Sequence, residues 1–329
     1  MQQPLLSVRN LRIAFDSRHG PVTVVDDISF DIARGEVLGV VGESGAGKSL
    51  TGTAVIGLIE PPGRIDSGEI RLDDKRIDNL PASAMRRIRG KRIGMVFQDP
   101  LTSLNPLYTV GEQIIETIRV HLGLSPSAAR KRAIDLLGEV GIPAPAQRID
   151  SYPHQFSGGM RQRVVIALAI CAEPELIVAD EPTTALDVSV QAQIIRLLRR
   201  LCDDHGTAIM LITHDMGVIA ETADRVAVMY AGRVAEIGPV RPVVKAPSHP
   251  YTRGLMGSIP SLTAEVDRLY QIDGAMPQPG AVPAGCPFHP RCPEVFDRCP
   301  RERPDVMPAG ETLASCWLYD RNGGGDGRG

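Results

Sequence analysis

The run GESGAGKS, from Gly42 to Ser49, holds the residue types that grip a phosphate chain. Glycines at Gly42, Gly45 and Gly47 leave no Cβ in the way of backbone N–H groups curling round phosphate oxygens. Glu43, Ser44 and Ala46 offer further backbone N–H groups to the same curl. Lys48 brings a point charge to the β- and γ-phosphates. Ser49 brings a hydroxyl to Mg2+, an ion that keeps several waters and needs few protein ligands. The residues fit G-x-x-x-x-G-K-S/T and stand between a strand-like and a helical run, the setting that gives the motif its meaning. A bare glycine turn accounts poorly for the whole match. Further on, LIVAD ends in Asp180, with Glu181 next. Asp180, at the strand's end, is placed to orient Mg2+. Glu181, one residue beyond, is placed to activate an attacking water. AIMLIT delivers His214 in the same way, towards the γ-phosphate or its water. The two acids alone could be a solvated loop start, and a lone histidine is more often structural; the upstream loop favours the chemical reading. Phosphate binding alone leaves ATPase, GTPase and kinase open.

The elements that must carry these residues alternate strand and helix. LSVRNLRIAF and VTVVDDISFDI read as strands about a turn near Ser17 to Pro21. EVLGVV is a buried strand by its β-branched content, and LTGTAVIGLI the helix after it, ended by Pro61, Pro62 and Gly63. GEIRLDDKRI reads as a hairpin and RIGMVF as a buried strand. Between about residues 101 and 163 the pattern turns helical, with VGEQIIETIRVHL and AARKRAIDLLGEVG. The core then resumes as VVIALAICA (helix), LIVAD (strand), VQAQIIRLLRRLCDDHG (helix) and AIMLIT (strand), followed by the short strands RVAVMY and RVAEIG. The expected fold is α/β: a P-loop NTPase (RecA-like) core with an antiparallel β subdomain, an inserted α-helical subdomain and a small Cys-rich C-terminal tail. The expected units are a nucleotide-binding domain over residues 1–255, a Cys-rich extension over 256–320 and a disordered end over 321–329. No long internal repeat suggests a tandem pair of cassettes.

A chain of 329 residues with 43% hydrophobic content suffices for one good core and an appendage. The formal net charge of -3 gives no sign of a general affinity for nucleic acid. No apolar run approaches the roughly 20 residues that span a bilayer. The opening MQQPLLSVRN has no signal-peptide pattern. The expectation is a cytosolic protein that serves a membrane only through a partner.

Further motifs resemble those of the ABC transporter ATPase family. Ser157, Gly158 and Gly159 in HQFSGGMRQRV are similar to the family's signature sequence, usually LSGGQ. Gln98 in MVFQDP resembles the Q-loop, and Thr184 to Asp187 (TALD) the D-loop. Phe15 stands where the family places an aromatic that stacks on adenine. The motifs come in the family's order, over roughly the first 255 residues. The departures are Phe156 and Met160 where Leu and Gln are usual, and Phe15 for Tyr; none removes a backbone contact or the stacking face. The resemblance implies two subunits packed head to tail. Each ATP would lie between one subunit's Gly42–Ser49 loop and its partner's Ser157–Gly159 turn, and Asp187 is implied among the nucleotide-binding residues. Gln98 would sense the γ-phosphate and, with Ser49 and Asp180, attend the Mg2+. Asp99 to Tyr108 would lie near the groove for a membrane subunit's coupling helix.

Finer resemblance is to the oligopeptide and dipeptide import ATPases, through FQDPLTSLNPLYTVGEQI, ADEPTTALDVSVQAQI, APSHPYTRGLM and CPFHPRCP. It extends over nearly the whole chain. It implies ATP hydrolysis at the cytoplasmic face of the inner membrane, as a peripheral subunit. The implied partners are two transmembrane permease subunits, a second ATP-binding subunit, the same or different, and a periplasmic or extracellular substrate-binding protein. Nickel or glutathione are alternative cargoes. The rivals are a soluble ABC ATPase of repair or translation, which usually carries two cassettes or a long coiled coil, and a subunit that binds ATP without hydrolysing it, against which Glu181 and His214 both speak. Cys286, Cys292, Cys299 and Cys316 are spaced x5, x6 and x16, neither a C-x-x-C zinc pattern nor a ferredoxin run. In a reducing compartment they suit a metal better than disulfides. The resemblance to peptide-import relatives favours a [4Fe–4S] cluster, with Zn2+ or four buried free thiols as alternatives; His289 is a spare ligand. Cys171 and Cys202 read as packing residues.

Overall fold

The protein is described from a computed structural model over residues 3–184, 186–258 and 271–320. The expected disordered end at 321–329 therefore lies outside the described residues, as do residues 259–270 of the extension and Ala185 of the TALD motif. In chain order the elements are β1 (Leu6–Ser17), β2 (Gly20–Ile32), β3 (Val37–Val41), α1 (Lys48–Val55), β4 (Gly63–Leu72), β5 (Lys75–Arg76), α2 (Ala82–Ile88), β6 (Ile93–Val96) and α3 (Pro100–Ser103). Four helices follow: α4 (Val110–Leu122), α5 (Pro126–Glu139), α6 (Pro145–Arg148) and α7 (Gly158–Ile170). Then come β7 (Leu176–Asp180), α8 (Val188–His205), β8 (Ala208–Ile212), α9 (Met216–Thr222), β9 (Arg225–Tyr230), β10 (Arg233–Pro239), α10 (Val240–Lys245), α11 (Pro250–Gly257), β11 (Met307–Ala309) and β12 (Thr312–Ala314).

The smaller sheet is antiparallel, in the order β2-β1-β4-β5. In β1 the buried apolar residues are Leu6 and Val8, then Leu11 and Ile13, with Ala14 beside the last. Their parity changes because a register shift falls between Val8 and Leu11, where Asn10 adopts φ 47°. The extra residue turns the second half of the strand so that both halves face the core.

The larger sheet runs β11-β12-β10-β9-β3-β8-β7-β6. From β9 to β6 all neighbours are parallel. Every residue of β3, β7 and β8 is buried, as expected for parallel strands covered on both faces. Parallel strands deliver their C-terminal ends to one edge, so the segments after β3, β6, β7 and β8 emerge together. Those segments carry Gly42–Ser49, Gln98, Glu181 and His214.

Local rules account for most boundaries. A capping box between Thr109 and Glu112 opens α4, and Gly123 at φ 65° closes it. Ser125 caps α5, Ser157 caps α7 and Asp187 caps α8. α1 is shorter than its apolar run predicts: it stops at Val55, just ahead of Gly57 at φ 66°, and not at Pro61. The hairpin β11–β12 was not foreseen. It pairs with β10 (Glu236 with Ala314, Ile237 with Leu313) and continues the main sheet, so the chain's last described segment is part of the core architecture.

Candidate nucleotide site

Gly42 leaves β3 at φ 151°, and a Cβ there would stand 2.2 Å from the Met229 carbonyl oxygen. Only glycine lets the loop turn this close to β9. Gly47, at φ 95°, takes the last residue before α1, so the loop's N–H groups run directly into a helix start. Lys48 Nζ donates to the carbonyls of Gly42 (2.8 Å) and Glu43 (3.0 Å), bending the side chain back across the loop. Burial pulls its ammonium below the ordinary range, opposed by Glu181, Asp180 and Glu43. Ser49 Oγ donates to Asp180 Oδ1 at 2.9 Å, joining the helix start to the end of β7. Burial pushes the Asp180 carboxyl up, against that hydrogen bond.

Glu181 has φ 48°, a left-handed conformation uncommon outside glycine, held by its N–H donating to Ile212 O at 2.9 Å. The turn aims its carboxylate at the end of β8. There it meets His214 Nδ1 at 2.9 and 3.0 Å and accepts from Thr184 Oγ1 at 3.2 Å. Ser44, Gly45, Gly47, Lys48, Ser49, Gln98, Glu181, Thr184 and His214 line one cavity of about 610 Å³, together with Val24, Leu50 and Pro279. A larger cavity of about 860 Å³ lies elsewhere, beside α5 and α8, and holds none of the motif residues. The motif-lined cavity is where the chemistry gathers.

Some predicted residues stand outside it. Phe15 is on β1, half-buried and packed against Gly63. Ser157 is exposed at the N-terminus of α7, its Oγ accepting from Met160 N at 3.4 Å, with Gly158 and Gly159 opening the helix. Gly159 packs so closely on Val190 that a Cβ would come within 2.7 Å. Asp187 is exposed and accepts from Val190 N (2.9 Å) and Ser189 Oγ (2.7 Å), which hold its carboxyl below the usual range. The chain thus presents two separate faces, a lined cavity and an exposed serine–glycine turn.

Cys286, Cys292, Cys299 and Cys316 line one small cavity with Phe288 and Trp317. Burial pushes the Cys316 thiol up to about 12 and that of Cys292 to about 11, and raises Cys286. Among the described residues no group of three or more His, Cys, Asp or Glu side chains is arranged to hold a metal ion. The expectation of a [4Fe–4S] cluster or Zn2+ is therefore not supported, although the four cysteines line one cavity. Cys171 and Cys202 are buried within the main apolar core, as expected.

Sequence reading missed two neighbours of the loop, one in the extension and one in α11. Pro279 lines the cavity, and Tyr251 Oη accepts from the Glu43 N–H at 3.0 Å. Neither belongs to a motif with a chemical signature; the proline-rich composition gave no hint of where the segment goes.

Comparison with known proteins agrees with this geometry. The family described as ABC transporter matches residues 25–184, and the family described as Oligopeptide/dipeptide transporter, C-terminal region, matches residues 235–299. The chain belongs to the ABC transporter family of ATP-binding proteins. It is 45% identical to the oligopeptide transport ATP-binding protein AppD of Bacillus subtilis, over 97% of this chain and 98% of that one. It is 48% identical to the dipeptide transport ATP-binding protein DppD of Escherichia coli, over 91% of this chain and 92% of that one. Within the family it stands with these oligopeptide and dipeptide transport ATP-binding proteins. Its fold matches the dimeric, post-hydrolysis structure of the ATP-binding cassette MJ0796 bound to ADP and Pi, with a TM-score of 0.65 and 28% identity, over 72% of this chain and 99% of that one.

Proposed function

We propose that the chain binds and hydrolyses ATP to energise an importer of di- or oligopeptides. The single observation that carries this reading is the gathering of Lys48, Ser49, Gln98, Glu181 and His214 around one cavity at the C-terminal edge of a parallel sheet. The Gly42–Ser49 loop cradles the phosphates, and Phe15 of β1 would offer its ring to the adenine face. Ser49, with Asp180 behind it and Gln98 across the cavity, would hold Mg2+; the one hydroxyl and one carboxylate already in contact suit an ion that keeps most of its waters. When bound, that ion neutralises charge on the phosphate oxygens.

Glu181 orients a water in line with the γ-phosphorus and takes its proton as the new P–O bond forms and the bond to ADP breaks. His214, hydrogen-bonded to that carboxylate, fixes its direction. The exposed Ser157–Gly159 turn supports a second role at a partner's nucleotide, since helix N–H groups there point outward. Asp187 stands beside that face. ATP would then join two cassettes and hydrolysis part them, moving the membrane partners by population shift.

The partners under this reading are two transmembrane permease subunits, a second ATP-binding subunit and an extracytoplasmic substrate-binding protein. The chain would be peripheral at the cytoplasmic face of the inner membrane. Among the described residues no helix is long and apolar enough to cross a membrane. We read about residues 101–163, between β6 and β7, as an inserted helical subdomain, and residues 1–255 and 256–320 as cassette and extension. Leu101, Leu107 and Tyr108 expose apolar surface just after Gln98, which suits a coupling helix of a permease. No step of this reading runs through a metal at the cysteines.

The test is Mg2+-dependent ATP hydrolysis by the assembled transporter. Glu181→Gln is expected to lower turnover by at least ~100-fold, while ATP binding persists and dimers accumulate. Undiminished turnover in that variant would refute the assignment of the base.

A further inference from the structure

We propose that Arg291, in the C-terminal extension, is a positioning residue for nucleotide binding, acting on the phosphate loop through Glu43. The inference rests on the reading of Gly42–Ser49 as the nucleotide cradle. The Arg291 side chain is only 7% exposed. Its Nη1 donates to both carboxylate oxygens of Glu43, at 3.1 and 3.2 Å, and its guanidinium lies 5.8 Å from the Tyr230 ring centroid. The same group reaches back to its own segment: Nε donates to Asp273 O at 2.9 Å and Nη2 to Ile272 O at 3.3 Å. One planar, rigid fork thus ties the second residue of the loop to the start of a strap running over it.

The strap's course shows what the tie accomplishes. Met276 lies over Gly45, its Cε 3.2 Å from where a Cβ would stand. Pro279 then lines the nucleotide cavity beside Lys48, Gln98 and Glu181, and Gly280 rests against Val22 of β2. From the other side, Tyr251 of α11 accepts the Glu43 N–H. The loop's second residue is therefore held at its backbone by Tyr251 and at its side chain by Arg291 of the extension, and the strap lies over Gly45, its fourth.

Two physical consequences follow for a polyanionic ligand. A loop fixed before binding loses less conformational freedom on binding, which tightens it. Glu43 also places a carboxylate near enough to Lys48 to act on its ammonium; unpaired, that charge would repel triphosphate and compete for the lysine. Arg291 cancels it. Neither effect touches the in-line chemistry at Glu181, so the signature is in affinity and not in turnover.

The experiment measures the ATP dependence of hydrolysis in the assembled transporter for the wild type, Arg291→Ala, Arg291→Lys, Glu43→Gln and the double variant Arg291→Ala/Glu43→Gln. Arg291→Ala is expected to raise KM for ATP by about tenfold with kcat within about twofold, and Arg291→Lys to recover part of the loss. In the double variant the Glu43 change should erase most of the Arg291 effect, because the uncancelled charge is gone. An unchanged KM in Arg291→Ala, a fall in kcat at constant KM, or fully additive effects would each overturn the proposal. Should Arg291→Ala fail to assemble, the KM of Arg291→Lys with and without Glu43→Gln reads the same coupling. A purely structural role for Arg291 would shift melting temperature without separating KM from kcat. Wild-type protein that neither binds a fluorescent ATP analogue nor hydrolyses ATP would instead sink the reading of the loop itself.

Discussion

His249 illustrates how a single buried residue ties stability to pH. It is fully buried at the head of α11, where its Nδ1 accepts from Tyr251 N at 3.0 Å. Burial lowers its pKa from 6.5 to about 4. The fold holds the neutral ring, so between these values the unfolded chain binds a proton that the folded chain refuses. Stability is full above pH 6.5 and declines as pH falls towards 4, by about 3 kcal/mol at the acid end. Asparagine keeps a capping side chain without a titrating ring. Denaturant unfolding of His249→Asn is expected to show a flatter profile than the wild type between pH 6.5 and 4; parallel profiles would rule the histidine out as the source. The nucleotide residues act at the same scale, but in sequence they were legible at once, because each ends a strand or opens a helix with a distinctive side chain.

Among the elements, α7 carries two tasks at one end. Ser157 caps the helix through Met160 N and is exposed for a partner. Aspartate caps helices as well as serine does, so Ser157→Asp should leave stability within about 0.5 kcal/mol. Its carboxylate would nonetheless meet a γ-phosphate under the proposed dimer, and ATP hydrolysis in the assembled transporter is expected to vanish. Wild-type turnover in a well-folded Ser157→Asp variant would remove the turn from the catalytic arrangement. The periodicity of α4 and α5 was legible because each begins at a capping residue and shows a clear apolar stripe. The early end of α1 was not: a left-handed glycine stops the helix inside an apolar run that continues beyond it.

For the whole molecule, the consequence lies in how the extension joins the cassette. Glu236 of β10 has no exposed surface and accepts from Ser248 N, His249 N and Thr312 Oγ1, each at 2.9 Å. β12 covers the edge of β10. A chain ending at residue 258 would leave that edge unpaired and the carboxylate short of a donor, both costly in a buried setting. Such a truncation is expected to lower the melting temperature sharply and to aggregate, and not to release a free-standing cassette. A truncated protein that melts with the wild type would show that β11 and β12 are an appendage.

The sequence by itself determined the α/β core, the phosphate loop, the acids and the histidine, because each rests on local chemistry: buried β-branched runs, glycines before Lys48, side chains at strand ends. Only the tertiary structure decided that the tail completes the main sheet, that Pro279 reaches the nucleotide cavity and that Arg291 pairs with Glu43. Those contacts join positions far apart in the chain through three-residue strands and irregular segments, which have no periodicity to read. The same limit applies to the cysteines. Their number and spacing could be counted, but whether they form a metal site depends on how the surrounding turns fold; they line one cavity, and among the described residues no group of three or more ligands is arranged to hold a metal.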